Sequence, residues 1–106
     1  MYTKSNYQTE RDLIQTFMSN ETMREYIKCY CYRCTRVSWC SFKDYLLYHD
    51  FYTFYPSLYK LIRRKSISAT IMVKFLTYAY ECFYYGVTNF STFTDDFFDQ
   101  IKEGVL

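Results

Sequence analysis

Apolar residues recur every three to four positions along most of this chain, the spacing of one face of an α-helix. The densest such stretch is residues 41–55, SFKDYLLYHDFYTFY. Within it Tyr45, Tyr48, Tyr52 and Tyr55 share helical spacing, as do Leu47, Phe51 and Phe54, leaving Lys43, His49, Asp50 and Thr53 for a narrow polar side. Ser41 followed by Asp44 offers a hydroxyl and a carboxylate to the free amides of a helix start. Pro56 sets the end, because the residue before a proline is pushed out of the α region. A helix apolar around most of its circumference has neighbours on several sides. The pattern therefore predicts that 41–55 is the central helix of a small bundle.

The flanking segments repeat this grammar. Residues 1–8 are polar and are expected to fray. Thr9 with Asp12 opens a short helix through Leu13, Ile14, Phe17 and Met18, and Asn20 with Glu21 breaks it. Thr22 with Glu25 opens the next, through Met23, Tyr26, Ile27, Tyr30 and Cys31 to about Cys34. Residues 35–40 read as a connection carrying Trp39. After Pro56, Leu58, Tyr59, Leu61 and Ile62 make a shorter helix ending in Arg63, Arg64 and Lys65, cations that suit a helix C-terminus. Ser66 or Ser68 caps a helix bearing Ile71, Met72, Phe75, Leu76, Ala79, Cys82 and Phe83, which Gly86 ends. Residues 87–93 form a loop, and Thr94, Asp95 and Asp96 start a last helix through Phe97, Phe98 and Ile101, closed by Gly104. No segment alternates cleanly and no Asn-Gly or Asp-Gly hairpin turn exists. The expectation is all-α: an antiparallel bundle of about six helices, one domain spanning 9–106.

Composition supports a packed core and narrows the chemistry. Of 106 residues half are hydrophobic and 24% aromatic, with two glycines and one proline, which excludes a disordered chain. A formal charge of +2 gives no electrostatic pointer to nucleic acid. No apolar run reaches membrane-spanning length and no signal-peptide core follows the start, so the expectation is an intracellular, soluble protein whose membrane contact is at most peripheral. No Gly-rich phosphate loop is present. The single histidine, His49, sits beside Asp50 on a polar helix side and reads as a solvated surface residue. Asp95, Asp96 and Asp99 suit a helix N-terminus better than a hydrolytic pair.

Five cysteines, an odd number, argue against a disulfide framework. Reduced thiols acting as small hydrophobes are the plain reading, with no metal. The alternative is structural zinc on Cys29, Cys31, Cys34 and Cys40. Tetrahedral thiolate sites are a familiar solution, but the spacing lacks paired CxxC knuckles, and on a helix Cys29 points away from the face that Cys31 and Cys34 share.

The 41–55 run also resembles one in the regulator of G-protein signalling (RGS) domain, where a serine precedes an acid–amide pair and then aliphatic and aromatic residues at helical spacing. Ser41, Lys43, Asp44, Tyr45, Leu47, Tyr48, Phe51 and Phe54 fall at those positions, with Lys43-Asp44 in place of the acid–amide pair. Downstream, Thr88-Asn89-Phe90-Ser91-Thr92-Phe93-Thr94-Asp95 is similar to the family's valine–asparagine…threonine–arginine segment. There Asn89 and Thr94 match and Asp95 replaces the arginine. The resemblance covers roughly Leu13 to Ile101.

It implies a module that is not itself catalytic, takes no cofactor, and binds the switch regions of a GTP-loaded Gα subunit in the cytoplasm or at the inner face of the plasma membrane. Gα carries its own arginine and water-positioning glutamine, so the partner only stabilises their arrangement. By position Asp44 and Asn89 would be the polar contacts, with Lys43 and Thr94 alongside. Two other readings stand beside it. One is a small helical protein whose tyrosine-rich surface makes a homo-oligomer or host-protein contact; the other is the zinc-stabilised domain.

Overall fold

Asn20, Ser38 and Ser68 set the starts of three helices, and each does so with its side chain. Asn20 accepts from the amides of Thr22 and Met23, at 2.8 and 3.2 Å. Ser38 accepts from Ser41 at 3.1 Å and Ser68 from Ile71 at 3.3 Å. Such caps satisfy amides that have no partner within the helix. In this computed structural model, which describes residues 4–63 and 67–106 and side chains from residue 8 onward, seven helices are present and no strand among the described residues. They are α1 (Lys4–Met18), α2 (Glu21–Arg33), α3 (Trp39–Tyr48), α4 (Phe51–Phe54), α5 (Pro56–Ile62), α6 (Ala69–Tyr84) and α7 (Phe93–Lys102). The all-helical expectation holds.

Several boundaries differ from the sequence reading. The first helix already runs from Lys4, not Thr9. Asn20 rather than Thr22 caps α2, and Ser38 rather than Ser41 caps α3, so Trp39 lies in the helix, 5% exposed. Arg64, Lys65 and Ser66 lie outside the described residues. The largest correction concerns 41–55. It is not one helix: Asp50 adopts a left-handed conformation (φ 56°, ψ 27°) that ends α3 and starts the single turn of α4. An aspartate tolerates this region better than most residues because its short polar side chain bonds locally. Pro56 then occupies the first turn of α5, where its missing amide costs nothing.

The segment is not the centre of the bundle either. That place belongs to α1, which packs against α2, α5, α6 and α7, and to α6, which also packs against α2 and α3. The reason is geometric. Leu13, Ile14, Phe17 and Met18 of α1 are all at most 2% exposed, whereas Leu47, Tyr48 and Phe54 are 62, 83 and 70% exposed. Phe17 is the hub, with ring centroids 5.7 Å from Phe42, 6.0 Å from Phe51 and 6.1 Å from Phe75. Phe75 carries the contact on to Phe93 and Phe97 of α7. Each fully buried ring contributes about 1.5–3 kcal/mol by leaving water, and tilted or edge-on geometry adds to it.

Two half-buried polar links tie distant segments. The Glu10 carboxylate, fully buried, accepts from the Ser68 amide at 3.0 Å, joining α1 to the start of α6. The Thr94 hydroxyl donates to Gln15 Oε1 at 2.6 Å, joining α7 to α1. At the other ends, α6 and α7 close with the same device. The amides of Val87 and Gly86 bond back to Cys82 and Phe83, and those of Val105 and Gly104 to Gln100 and Ile101, with both glycines at φ 78°. The Cα radius of gyration is 13.1 Å, the size of a single packed domain of this length. Among the described residues no helix is long and apolar enough to cross a membrane.

Candidate interaction surfaces

Of the four candidate contact residues, Lys43 and Asp44 line one cleft, Asn89 lines another, and Thr94 lines neither. Lys43 and Asp44 lie on the outward side of α3 and line a groove of about 590 Å³ with Trp39, Leu47, Tyr52 and Tyr59. Lys43 sends its ammonium over the Trp39 ring, 5.6 Å from the centroid, a contact worth about 0.5–1 kcal/mol at such a site. Asp44 is exposed. On the groove floor the Tyr52 hydroxyl donates to the Lys43 carbonyl at 3.5 Å and its ring packs on Tyr59 at 4.6 Å. Burial first, then the neighbouring Tyr59 and Asp44, push the Tyr52 hydroxyl up to about 12. It is therefore a neutral donor at physiological pH.

Asn89 lines a separate cleft of about 410 Å³ with Gln15, Met18, Ser19 and Arg24, and that cleft shares no residue with the first. Its Oδ1 accepts from the Ser91 amide at 3.0 Å, so the side chain shapes its own turn. Beside it, Arg24 donates to the Met18 carbonyl at 2.7 Å and lies 4.8 Å from the Phe90 ring centroid. Thr94, 4% exposed, is turned inward to Gln15. The structure thus pairs Lys43 with Asp44, sets Thr94 behind the Asn89 cleft through Gln15, and leaves the two groups apart.

The cysteines do not converge. Among the described residues no three His, Cys, Asp or Glu side chains are placed to hold a metal ion. Cys29 and Cys40 are exposed, Cys34 is half-buried, and Cys31 is buried with its sulfur 3.7 Å from the Leu76 carbonyl. Burial, and then Cys34, push the Cys31 thiol up to about 12, the opposite of what thiolate ligation requires. The zinc alternative on Cys29, Cys31, Cys34 and Cys40 is accordingly not assembled here. His49 is exposed and sits among the rings of Tyr45, Tyr48 and Tyr26, the nearest centroid 4.4 Å away.

A third surface had no counterpart in the sequence reading. The helices α2 and α6 run antiparallel, with Cys31 against Leu76 at one end and Arg24 near Val87 and Phe90 at the other. Between them a groove of about 410 Å³ is edged by Lys28, Cys29, Tyr32, Tyr80, Phe83 and Tyr84. The available signal was the outer stripe Glu21, Glu25, Lys28 and Tyr32, which recurs at helical spacing on the side opposite Met23, Ile27 and Tyr30. These features define a small all-helical domain with surface grooves and, among the described residues, no gathered metal-binding set. No protein-family model, curated protein or solved structure matches this chain.

Proposed function

We propose that this chain is a non-catalytic protein-binding module whose contact surface is the α3 edge. The observation that carries the reading is that Leu47, 62% exposed, lines one groove with Lys43 and Asp44, and that Tyr48, the next residue of the same helix, is 83% exposed. Large apolar side chains of this kind, rimmed by charge, suit a protein partner better than water. A narrower form of the proposal makes the partner a Gα subunit in the cytoplasm or at the inner membrane face. That form rests on the RGS resemblance alone, and a Gα surface would have to reach both the Asp44 groove and the Asn89 cleft.

The test is capture of a panel of Gα subunits loaded with GDP, or with GDP and aluminium fluoride, by the folded full chain. Selective capture of the fluoride form, lost in Asp44→Ala and in Asn89→Ala, supports Gα recognition. Absence of capture in every state removes the Gα form. Capture that survives a Leu47→Ser/Tyr48→Ser double variant removes the α3 edge as the contact surface.

A further inference from the structure

The outward stripe of α2 is complementary to itself. Glu21, Glu25, Lys28 and Tyr32 are all exposed and are spaced four, three and four residues apart, so they lie along one face. Read from the N-terminal end, the charged part runs acidic, acidic, basic, and Arg33 extends the basic end. The remaining charge of the helix, Arg24, is occupied by the Met18 carbonyl and the Phe90 ring. The stripe is centred between residues 26 and 27. A two-fold axis there sets Glu25 of one copy opposite Lys28 of the other, twice over. It also brings Glu21 opposite Tyr32, with Arg33 next to it. A parallel arrangement would stack like charges instead.

We propose that the protein forms a two-fold symmetric homodimer through antiparallel pairing of α2 with α2 of a second copy. A self-complementary patch of this kind is what an isologous interface requires. The apolar part comes from the groove beside the stripe, where Tyr32 and Tyr84 are 79 and 76% exposed and Tyr80 and Phe83 form the floor. Thirteen residues of α2 give a contact about 20 Å long, enough for three helical turns to meet their symmetry mates. The charge pattern selects the occupant: an unrelated helix has no reason to carry the reversed order, whereas a second copy carries it by symmetry. The α3 edge stays open in this dimer.

The measurement is sedimentation equilibrium of the full chain under reducing conditions, which prevents disulfides between the exposed Cys29 and Cys40 of different molecules. Wild type should rise from one chain to two with concentration, and less readily at high salt. Lys28→Glu and Glu25→Lys each place like charges at both symmetric contacts and should weaken association about tenfold or more. The double variant Glu25→Lys/Lys28→Glu reverses both charges and should regain wild-type association, a rescue that mere unfolding would not give. Circular dichroism checks each fold. A single-chain mass across the whole range overturns the proposal, as does a dimer indifferent to both charge reversals and to Tyr32→Ser. A double variant that stays monomeric overturns the antiparallel pairing.

Discussion

Cys31 and Tyr52 hold their protons further into alkaline solution than free side chains do, each to about 12, from 9.0 and 10.0. Burial penalises the charged form in both cases. Below those unperturbed values folded and unfolded chains are equally protonated and the contribution to stability is complete. Above them the unfolded chain releases its protons first, so stability falls as pH rises from about 9 toward about 12. Thermal melts across that range should show the decline, and Tyr52→Phe should make it shallower above pH 10. The same inequality orders the thiols. Alkylation at mildly alkaline pH, followed by peptide mapping, should label the exposed Cys29 and Cys40 first and Cys31 last.

Among the elements, the junction of α3 and α4 separates two descriptions of residues 41–55. In an unbroken helix Gly at position 50 would cost more than Val, since glycine has the lower helix propensity. At φ 56° the order inverts, because a β-branched residue is strained there and glycine is not. Asp50→Val should lose about 1–2 kcal/mol, while Asp50→Gly stays within about 1 kcal/mol of wild type. Melting temperatures of the two variants decide the order directly. The break was not legible because neither Gly nor Pro marks it, and because Leu47, Phe51 and Phe54 keep helical spacing across it. Caps were misplaced for a related reason: Asn20 and Thr22, or Ser38 and Ser41, are all good cap residues within three positions of each other, and packing chose between them. Where the chemistry was unambiguous, at Gly86 and Gly104, the sequence and the structure agree, and of the two serines offered for the start of α6 it is Ser68 that caps.

At the scale of the whole molecule, cohesion depends on a few links between segments far apart in sequence. Glu10 and Ser68 are 58 residues apart, and Gln15 and Thr94 are 79 apart. Glu10→Ala removes the acceptor of a half-buried amide at the start of α6 and should cost about 1–3 kcal/mol in urea unfolding. Glu10→Gln keeps an acceptor oxygen for the Ser68 amide, so its cost should be smaller than that of Glu10→Ala. Neither link was readable beforehand, because a buried carboxylate on a helix of polar and apolar residues looks like any solvated acid. The surfaces were legible only in part: Lys43 and Asp44 were singled out by the RGS resemblance and line one groove, but which helix stood at the centre depended on burial.

Trp39 is the only tryptophan among 14 tyrosines. It is nearly sealed from water, yet it borders the groove that holds Asp44, with the Lys43 ammonium over its ring. The indole is therefore a built-in optical reporter. Its emission is excited in part through energy transfer from the surrounding tyrosines, and its colour follows the water and charge around the ring. Unfolding shifts it to the red. A partner that draws Lys43 away changes its intensity while the fold stays intact, so one unlabelled chain distinguishes occupancy of the groove from loss of structure.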